Sequence, residues 1–557
     1  MTMLSGPIDV TSLRGRHETQ RWNRVSVGDL CERLIWSRPD KAAVVGRDGA
    51  YAYPEHRRLT YRDVDELANR VANALAAQGL HAGERVSLFC ENSVEALVTK
   101  LGIAKAGLVC APVNPSLAPD VVSYLIEHVE ARFAFVDAEF WPVAEGPVTA
   151  AGLTPIVLPI GGNVPEGVLS WTSFLDGAPA DEPDVAIHGD DIWQILSTSG
   201  TTSMPKGVML SHHYSYLAAY SFALPFSRGL RFESDLVLGT FLPIVYHIGD
   251  QLMLSTFLTG GTMVLGRRPD AQQIAEAITR ESVTALWAGS PAMVNALVDA
   301  LSTDPVRYDA RSLRVLVYGW AALPPGTVAQ LKRLCGEELQ PMEILGQTEA
   351  IACHRFWVDQ WRDTFLRTAP EQNYVGLPSP LLAAKIVDEQ GHDLTDKPGT
   401  PGEVVYRSPV VTAGYYRNEA ATKEAFQDGW FHSGDSCRDD ADGLRVMLDR
   451  YKDIVKTGGE NVSSLRVESV LHQHPAVAKA AVVGLPHERW GEAVTAFVVP
   501  TDGQTVTEEE VTEFCRSRLA GFETPKRIVV TDALPETVGG KVLKYKIRAE
   551  HQTLYHG

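Results

Sequence analysis

Ile195-Leu196-Ser197-Thr198-Ser199-Gly200-Thr201-Thr202-Ser203-Met204-Pro205-Lys206-Gly207 sets an apolar lead-in before a segment with six hydroxyls, two glycines and a lysine. Glycine lets the main chain approach an anion closely, and the free amides of such a turn point toward it. The hydroxyls add donors, and Lys206 adds a positive charge. The segment differs from the G-x-x-x-x-G-K-[ST] phosphate loop, because Pro205 precedes the lysine and Gly207 follows it. A solvated Ser/Thr/Gly loop would have the same composition. Its place in the chain therefore has to decide.

On the N-terminal side, residues 63–78 carry Val64, Leu67, Val71 and Leu75 at helical spacing. A strand at 86–89, a helix at 93–106 and an apolar run at 107–113 follow. The alternation returns near 133–136, and again at 282–287 and 313–318. Apolar strands alternating with helices predict α/β layers with largely parallel sheets. Past a Gly- and Asp-rich stretch at 428–443 the texture changes. A helix at 464–473, strands at 478–483 and 493–499 and a helix at 508–519 make a small α+β domain. The expected division is a large domain, 1–449, and a small one, 450–557.

The chain has 557 residues, 45% hydrophobic and 22% charged, the balance of an ordinary globular protein of more than one domain. A formal charge of -18 argues against nucleic acid as a partner, since phosphate binding needs a basic surface. The seven cysteines (Cys31, Cys90, Cys110, Cys335, Cys353, Cys437, Cys515) show no C-x-x-C pair and read as reduced thiols. Residues 1–14 lack the pattern of a signal peptide, and no apolar run reaches the roughly 20 residues of a membrane helix. The expected compartment is the cytoplasm. A homodimer is left open.

The 195–207 segment resembles the signature loop of the adenylate-forming superfamily, which includes acyl-CoA synthetases, firefly luciferase and peptide-synthetase adenylation domains. Further segments match in the same order across nearly the whole chain. The resemblance implies a large domain of layered α/β subdomains with a small mobile lid. It also implies an ATP-dependent acid–thiol ligase that forms an acyl-AMP and then a thioester with coenzyme A. Thr198, Ser199, Gly200, Thr201, Thr202 and Lys206 would hold the phosphates. His247, in Pro243-Ile244-Val245-Tyr246-His247-Ile248-Gly249, would line the carboxylate tunnel. In Gly346-Gln347-Thr348-Glu349, Thr348 would lie against phosphate and Glu349 would hold Mg²⁺, a hard cation suited to oxygen ligands. The aromatic residue that usually precedes this glycine and stacks on adenine is here Leu345.

Val375-Gly376-Leu377-Pro378, Gly402-Glu403-Val404 and Gly414-Tyr415-Tyr416 resemble further family segments. Asp435, closing Asp428-Gly429-Trp430-Phe431-His432-Ser433-Gly434-Asp435, would accept the ribose hydroxyls. Arg450 would contact the nucleotide, and Lys452 would be the pivot of the lid. Gly458, Gly459 and Glu460 would line the pantetheine tunnel. Lys541, after Gly540, matches the mobile lysine that bridges the substrate carboxylate and the α-phosphate. Trp320, in a turn whose family counterpart is small, would shorten the acyl pocket and favour a small, aromatic or polar acid. A carrier-protein thiol as acceptor would have to come from a separate partner, and the departures at Leu345 and Trp320 leave room for nitrite as the activated acid, passed to an aryl amine. A non-catalytic relative would be expected to lack one of Lys206, Glu349, Asp435, Arg450 and Lys541. All five are present.

Overall fold

The computed structural model describes residues 24–115, 117, 119–198, 205–458, 460–536 and 542–555. The helix expected at 63–78 begins at a capping box. The Asp63 amide donates to Thr60 Oγ1 at 3.2 Å, and the Thr60 amide donates to the Asp63 carboxylate at 2.8 Å. Two donors that a helix start leaves open are thereby satisfied. The helix runs Tyr61–Ala77 and lies on a second, fully buried helix, Val94–Lys105. At their crossing a Cβ on Gly102 would stand 2.5 Å from Val71 Cβ, so the close approach requires a glycine.

The first sheet runs, in spatial order, Leu169–Ser170, Thr154–Leu158, Phe133–Asp137, Arg85–Phe89, Val109–Pro112, Ile192–Thr198, Lys206–Ser211. Its strands pair in parallel except for the last two, which form an antiparallel hairpin with Thr198 opposite Lys206. The phosphate-loop candidate thus joins the two arms of a hairpin at the sheet edge.

The second sheet corrects the expectation of largely parallel strands. Ala42–Gly46, Thr262–Leu265, Val237–Thr240, Ala285–Gly289, Val315–Gly319 and Gln340–Gln347 are parallel neighbours. From there Ala350–Trp357, Asn373–Pro378, Arg445–Arg450, Trp430–Asp439, Gly402–Arg407 and Ala383–Val387 pair antiparallel. Only Thr348 and Glu349 join Gln347 to Ala350. A parallel return would need a crossover of about a dozen residues, so the chain must double back there. Trp287, Val317 and Ile344 pack on one face beneath helices His212–Phe226 and His247–Thr259. Leu286, Leu316 and Tyr318 pack on the other, beneath Ala271–Glu281, Pro291–Thr303 and Pro325–Cys335.

A third sheet holds Glu460–Val462, Val455–Thr457, Gly491–Pro500 and Val477–His487, with Arg527–Val530 parallel to Gly491–Pro500. Helices Ser464–Leu471, Glu508–Arg516 and Lys544–Glu550 accompany it, and its apolar cores draw only on residues from Val455 onward. Among the described residues no helix is long and apolar enough to cross a membrane.

Candidate active site

Strands Val315–Gly319 and Gln340–Gln347 end side by side, with Gly319 in register with Ile344. Carboxyl ends of parallel strands are where open α/β sheets bind ligands. Just beyond, the tight reversal at Thr348 and Glu349 is held by side chains from elsewhere in the fold. Ser211 caps the helix His212–Phe226, which puts Tyr214 on its first turn. The Tyr214 hydroxyl donates to the Thr348 carbonyl at 2.7 Å and accepts from the Ile351 amide at 3.2 Å. Thr348 is half-buried, and Glu349 is buried with its carbonyl accepting from the Thr412 amide.

The Glu349 carboxylate meets the phosphate-loop hairpin through Tyr415, whose hydroxyl donates to Glu349 Oε1 at 3.0 Å. On the face of that ring lies Lys206, its Nζ 4.8 Å from the centroid. The 414–416 segment is fastened to the hairpin strand: the Met209 amide donates to Gly414 and the Tyr416 amide to Gly207. A cation from one sheet and a carboxylate from the other are therefore set apart by a single aromatic ring. Burial and the Glu349 charge push the Tyr415 hydroxyl well above its ordinary pKa, so it remains a donor. Thr198 stands opposite Lys206, with its hydroxyl 3.4 Å from the Lys206 carbonyl.

His247 begins the helix His247–Thr259 and is buried. Its ring lies 5.4 Å from that of Tyr214, and its Nδ1 is 3.6 Å from Asp250. Asp250 is also paired with the buried Lys100. Burial lowers the His247 pKa, which favours a neutral imidazole beside the group that holds Thr348.

Asp435 and Arg450 face each other across neighbouring strands, with Arg450 Nε 3.0 Å from Asp435 Oδ1. Gln347 ties this pair to the reversal by donating to the Ser433 carbonyl at 3.3 Å. The structure thus gathers Thr198, Lys206, Thr348, Glu349, His247, Asp435 and Arg450 into one region. Lys452 follows in the next turn: its carbonyl accepts from Arg548 at 3.3 Å, and burial with the Arg450 charge lowers its ammonium to about 8. Gly458 (φ +60°) donates to the Trp490 carbonyl at 2.8 Å, and Glu460 lies opposite Thr457, both on the third sheet. Ser199, Gly200, Thr201, Thr202, Gly459 and Lys541 lie outside the described residues.

The sequence reading assigned no role to Tyr415, Tyr214 or Gln347. The first and last stood inside quoted motifs and could have been weighed there. Tyr214 had no such signal, because its role depends on where one helix crosses the second sheet.

The profile of the family described as AMP-binding enzyme matches residues 32–416, and that of the AMP-binding enzyme C-terminal domain matches residues 466–541. The chain belongs to the AMP-binding enzyme family. It is 31% identical over 523 residues to a long-chain-fatty-acid–CoA ligase of Mycobacterium tuberculosis, covering 93% of this chain and 99% of that one. It is 33% identical over 557 residues to 4-hydroxybutyrate–CoA ligase 2 of Metallosphaera sedula, covering 98% of each. Among solved structures, ATP-bound MatB from Rhodopseudomonas palustris matches with a TM-score of 0.81 at 30% identity, covering 95% of this chain and 99% of that one. Apo MatB, at the same identity and coverage, gives 0.69.

Proposed function

We infer that this AMP-binding enzyme is an acid–thiol ligase, which activates a carboxylic acid with ATP as the acyl-AMP and passes the acyl group to coenzyme A. The observation that carries the reading is the convergence of Lys206, Tyr415 and Glu349 beside the Asp435–Arg450 pair. Attack of a carboxylate on the α-phosphorus brings two anions together, so cations and fixed donors at that point lower the barrier, and no protein nucleophile is required. Lys206 supplies positive charge toward the phosphates, Asp435 accepts the ribose hydroxyls, and Arg450 faces the nucleotide. Tyr214 fixes the Thr348 turn against the phosphate, with His247 bordering the acid.

Glu349 fits Mg²⁺. It is a lone carboxylate oriented by Tyr415, and among the described residues no group of three or more His, Cys, Asp or Glu could hold a metal alone. Mg²⁺ is commonly held by one or two carboxylates together with waters and substrate phosphates. When bound it would neutralise phosphate charge.

The second half-reaction needs the lid. We place the division between 1–449 and 450–557, with Lys452 as pivot in the turn between Arg445–Arg450 and Val455–Thr457. Lys541 precedes Val542 in the sequence, and Val542 pairs with Glu536 in an antiparallel bridge. Gly458 and Glu460, together with Gly459, would then meet the thiol arm. The relatives' names favour coenzyme A over a carrier-protein thiol, and a carboxylic acid over nitrite. Seven unpaired, buried cysteines support a reducing compartment, the cytoplasm. The test is ATP–pyrophosphate exchange across a panel of carboxylic acids with nitrite included, followed by mass spectrometry with coenzyme A. Acid-dependent exchange and an acyl-CoA product are expected. Exchange with nitrite alone would overturn the assignment.

A further inference from the structure

Strand Gly402–Arg407 runs antiparallel to Trp430–Asp439, and its register breaks beside Asp435. On one side of the break Tyr406 pairs with Phe431 and Val405 with His432; on the other Glu403 pairs with Ser436 and Gly402 with Cys437. Val404 alone therefore faces three residues, Ser433, Gly434 and Asp435. Extra residues in one strand make a bulge, and bulges beside functional sites re-aim a side chain. Gly434 has φ +70°, and a Cβ there would meet no atom within 4 Å, so conformation rather than space calls for glycine.

A bulge disrupts the ladder locally, and here a side chain takes up the freed donor. The Gly434 amide donates to Glu403 Oε1 at 2.9 Å, while Glu403 Oε2 lies 2.8 Å from His432 Nδ1. The Gly434 carbonyl accepts from the Tyr451 amide at 3.0 Å, in the turn that follows Arg450. The Ser433 hydroxyl donates to the Val404 carbonyl at 2.5 Å and accepts from the Asp435 amide at 3.0 Å. Strand pairing continues on both sides of the bulge through the backbone alone. The Glu403 carboxylate therefore acts on the short segment that ends in the buried Asp435. Hydrogen bonds to a carboxylate are roughly twice as strong as neutral ones, which suits Glu403 to fix an exposed glycine.

We propose that Glu403 is a positioning residue: through the Gly434 amide it sets the bulge so that Asp435 presents its carboxylate to the ribose hydroxyls of ATP. This rests on the reading of Asp435 as the ribose acceptor, given above. The test compares wild type, Glu403→Ala, Glu403→Met and Glu403→Gln, all as the full chain, in acid-dependent pyrophosphate exchange. Each is assayed with ATP and with 2′,3′-dideoxy-ATP, which lacks both hydroxyls, and the readout is the ratio of the two kcat/KM values. A ratio cancels any loss of folded protein, and Glu403→Met keeps the bulk of the side chain if Glu403→Ala fails to fold. Wild type is expected to prefer ATP. Glu403→Ala and Glu403→Met should lower kcat/KM for ATP roughly tenfold and leave the value for the dideoxy analogue unchanged. Glu403→Gln keeps an acceptor oxygen for the Gly434 amide and should recover most of the preference. Equal losses with both nucleotides would reduce Glu403 to a structural residue and overturn the proposal, as would an unchanged ratio. A wild type that uses both nucleotides equally would remove the ribose role of Asp435 itself, so the two failures are distinguishable.

Discussion

Tyr415 shows how much of this site depends on residues that do no chemistry. Its hydroxyl holds one oxygen of Glu349, and its ring holds the Lys206 ammonium. Tyr415→Phe keeps the ring and loses only the donor. The Mg²⁺ concentration giving half-maximal pyrophosphate exchange should rise roughly three- to tenfold, with the melting temperature little changed. Equal Mg²⁺ titrations for the two proteins would show that the hydroxyl does not set the carboxylate. Glu343 allows a second test at this scale. It is fully buried beside Tyr318, and burial raises its pKa well above 4.5. A raised carboxyl contributes stability that is complete below the unfolded value and is lost as pH rises toward the folded one. Glu343→Gln cannot ionise, so it should be more stable than wild type near neutral pH. The advantage should shrink as pH falls toward 4.5. Melting curves at about pH 8 and about pH 5 check this sign. That Lys206, Glu349, Asp435 and Arg450 lie near one another was legible in the sequence, because their types suit anion, metal and ribose chemistry inside ordered motifs. The part of Tyr214 was not, since a helix crossing decides it.

Elements with a strong local signal were readable. The helices near 63–78 and 93–106 carry amphipathic spacing or a capped start, and the strands at 133–136 and 313–318 are short apolar runs. The antiparallel half of the second sheet was missed, because its direction depends on the two-residue link at Thr348 and Glu349 rather than on strand composition. Strands Val455–Thr457 and Glu460–Val462 hold three residues each, too few to show an alternation. The turn between Arg450 and Val455 is the element on which the proposed rotation depends. No described residue accepts the amide of Lys452, whereas the Tyr451 and Asp453 amides are bonded. Lys452→Pro should therefore stiffen the turn without costing a hydrogen bond. Pyrophosphate exchange is expected to persist while thioester formation falls at least tenfold, a loss of about 1.4 kcal/mol in barrier lowering. Equal loss of both steps, measured separately, would place the pivot elsewhere.

At the scale of the whole molecule, two sheets bring Lys206 and Glu349 together at Tyr415, and the proposed C-terminal domain, built on the third sheet, has a core of its own. Such a division lets a single cleft first join an acid to a nucleotide and then admit a thiol, with each reactant excluded from the other's step. The most direct test assays Lys541→Ala separately in the two half-reactions. Acid-dependent ATP–pyrophosphate exchange should fall by about a hundredfold or more, because the charge at the α-phosphate is gone. Conversion of preformed acyl-AMP and coenzyme A to acyl-CoA should proceed at the wild-type rate. Exchange at the wild-type rate in Lys541→Ala would contradict the account.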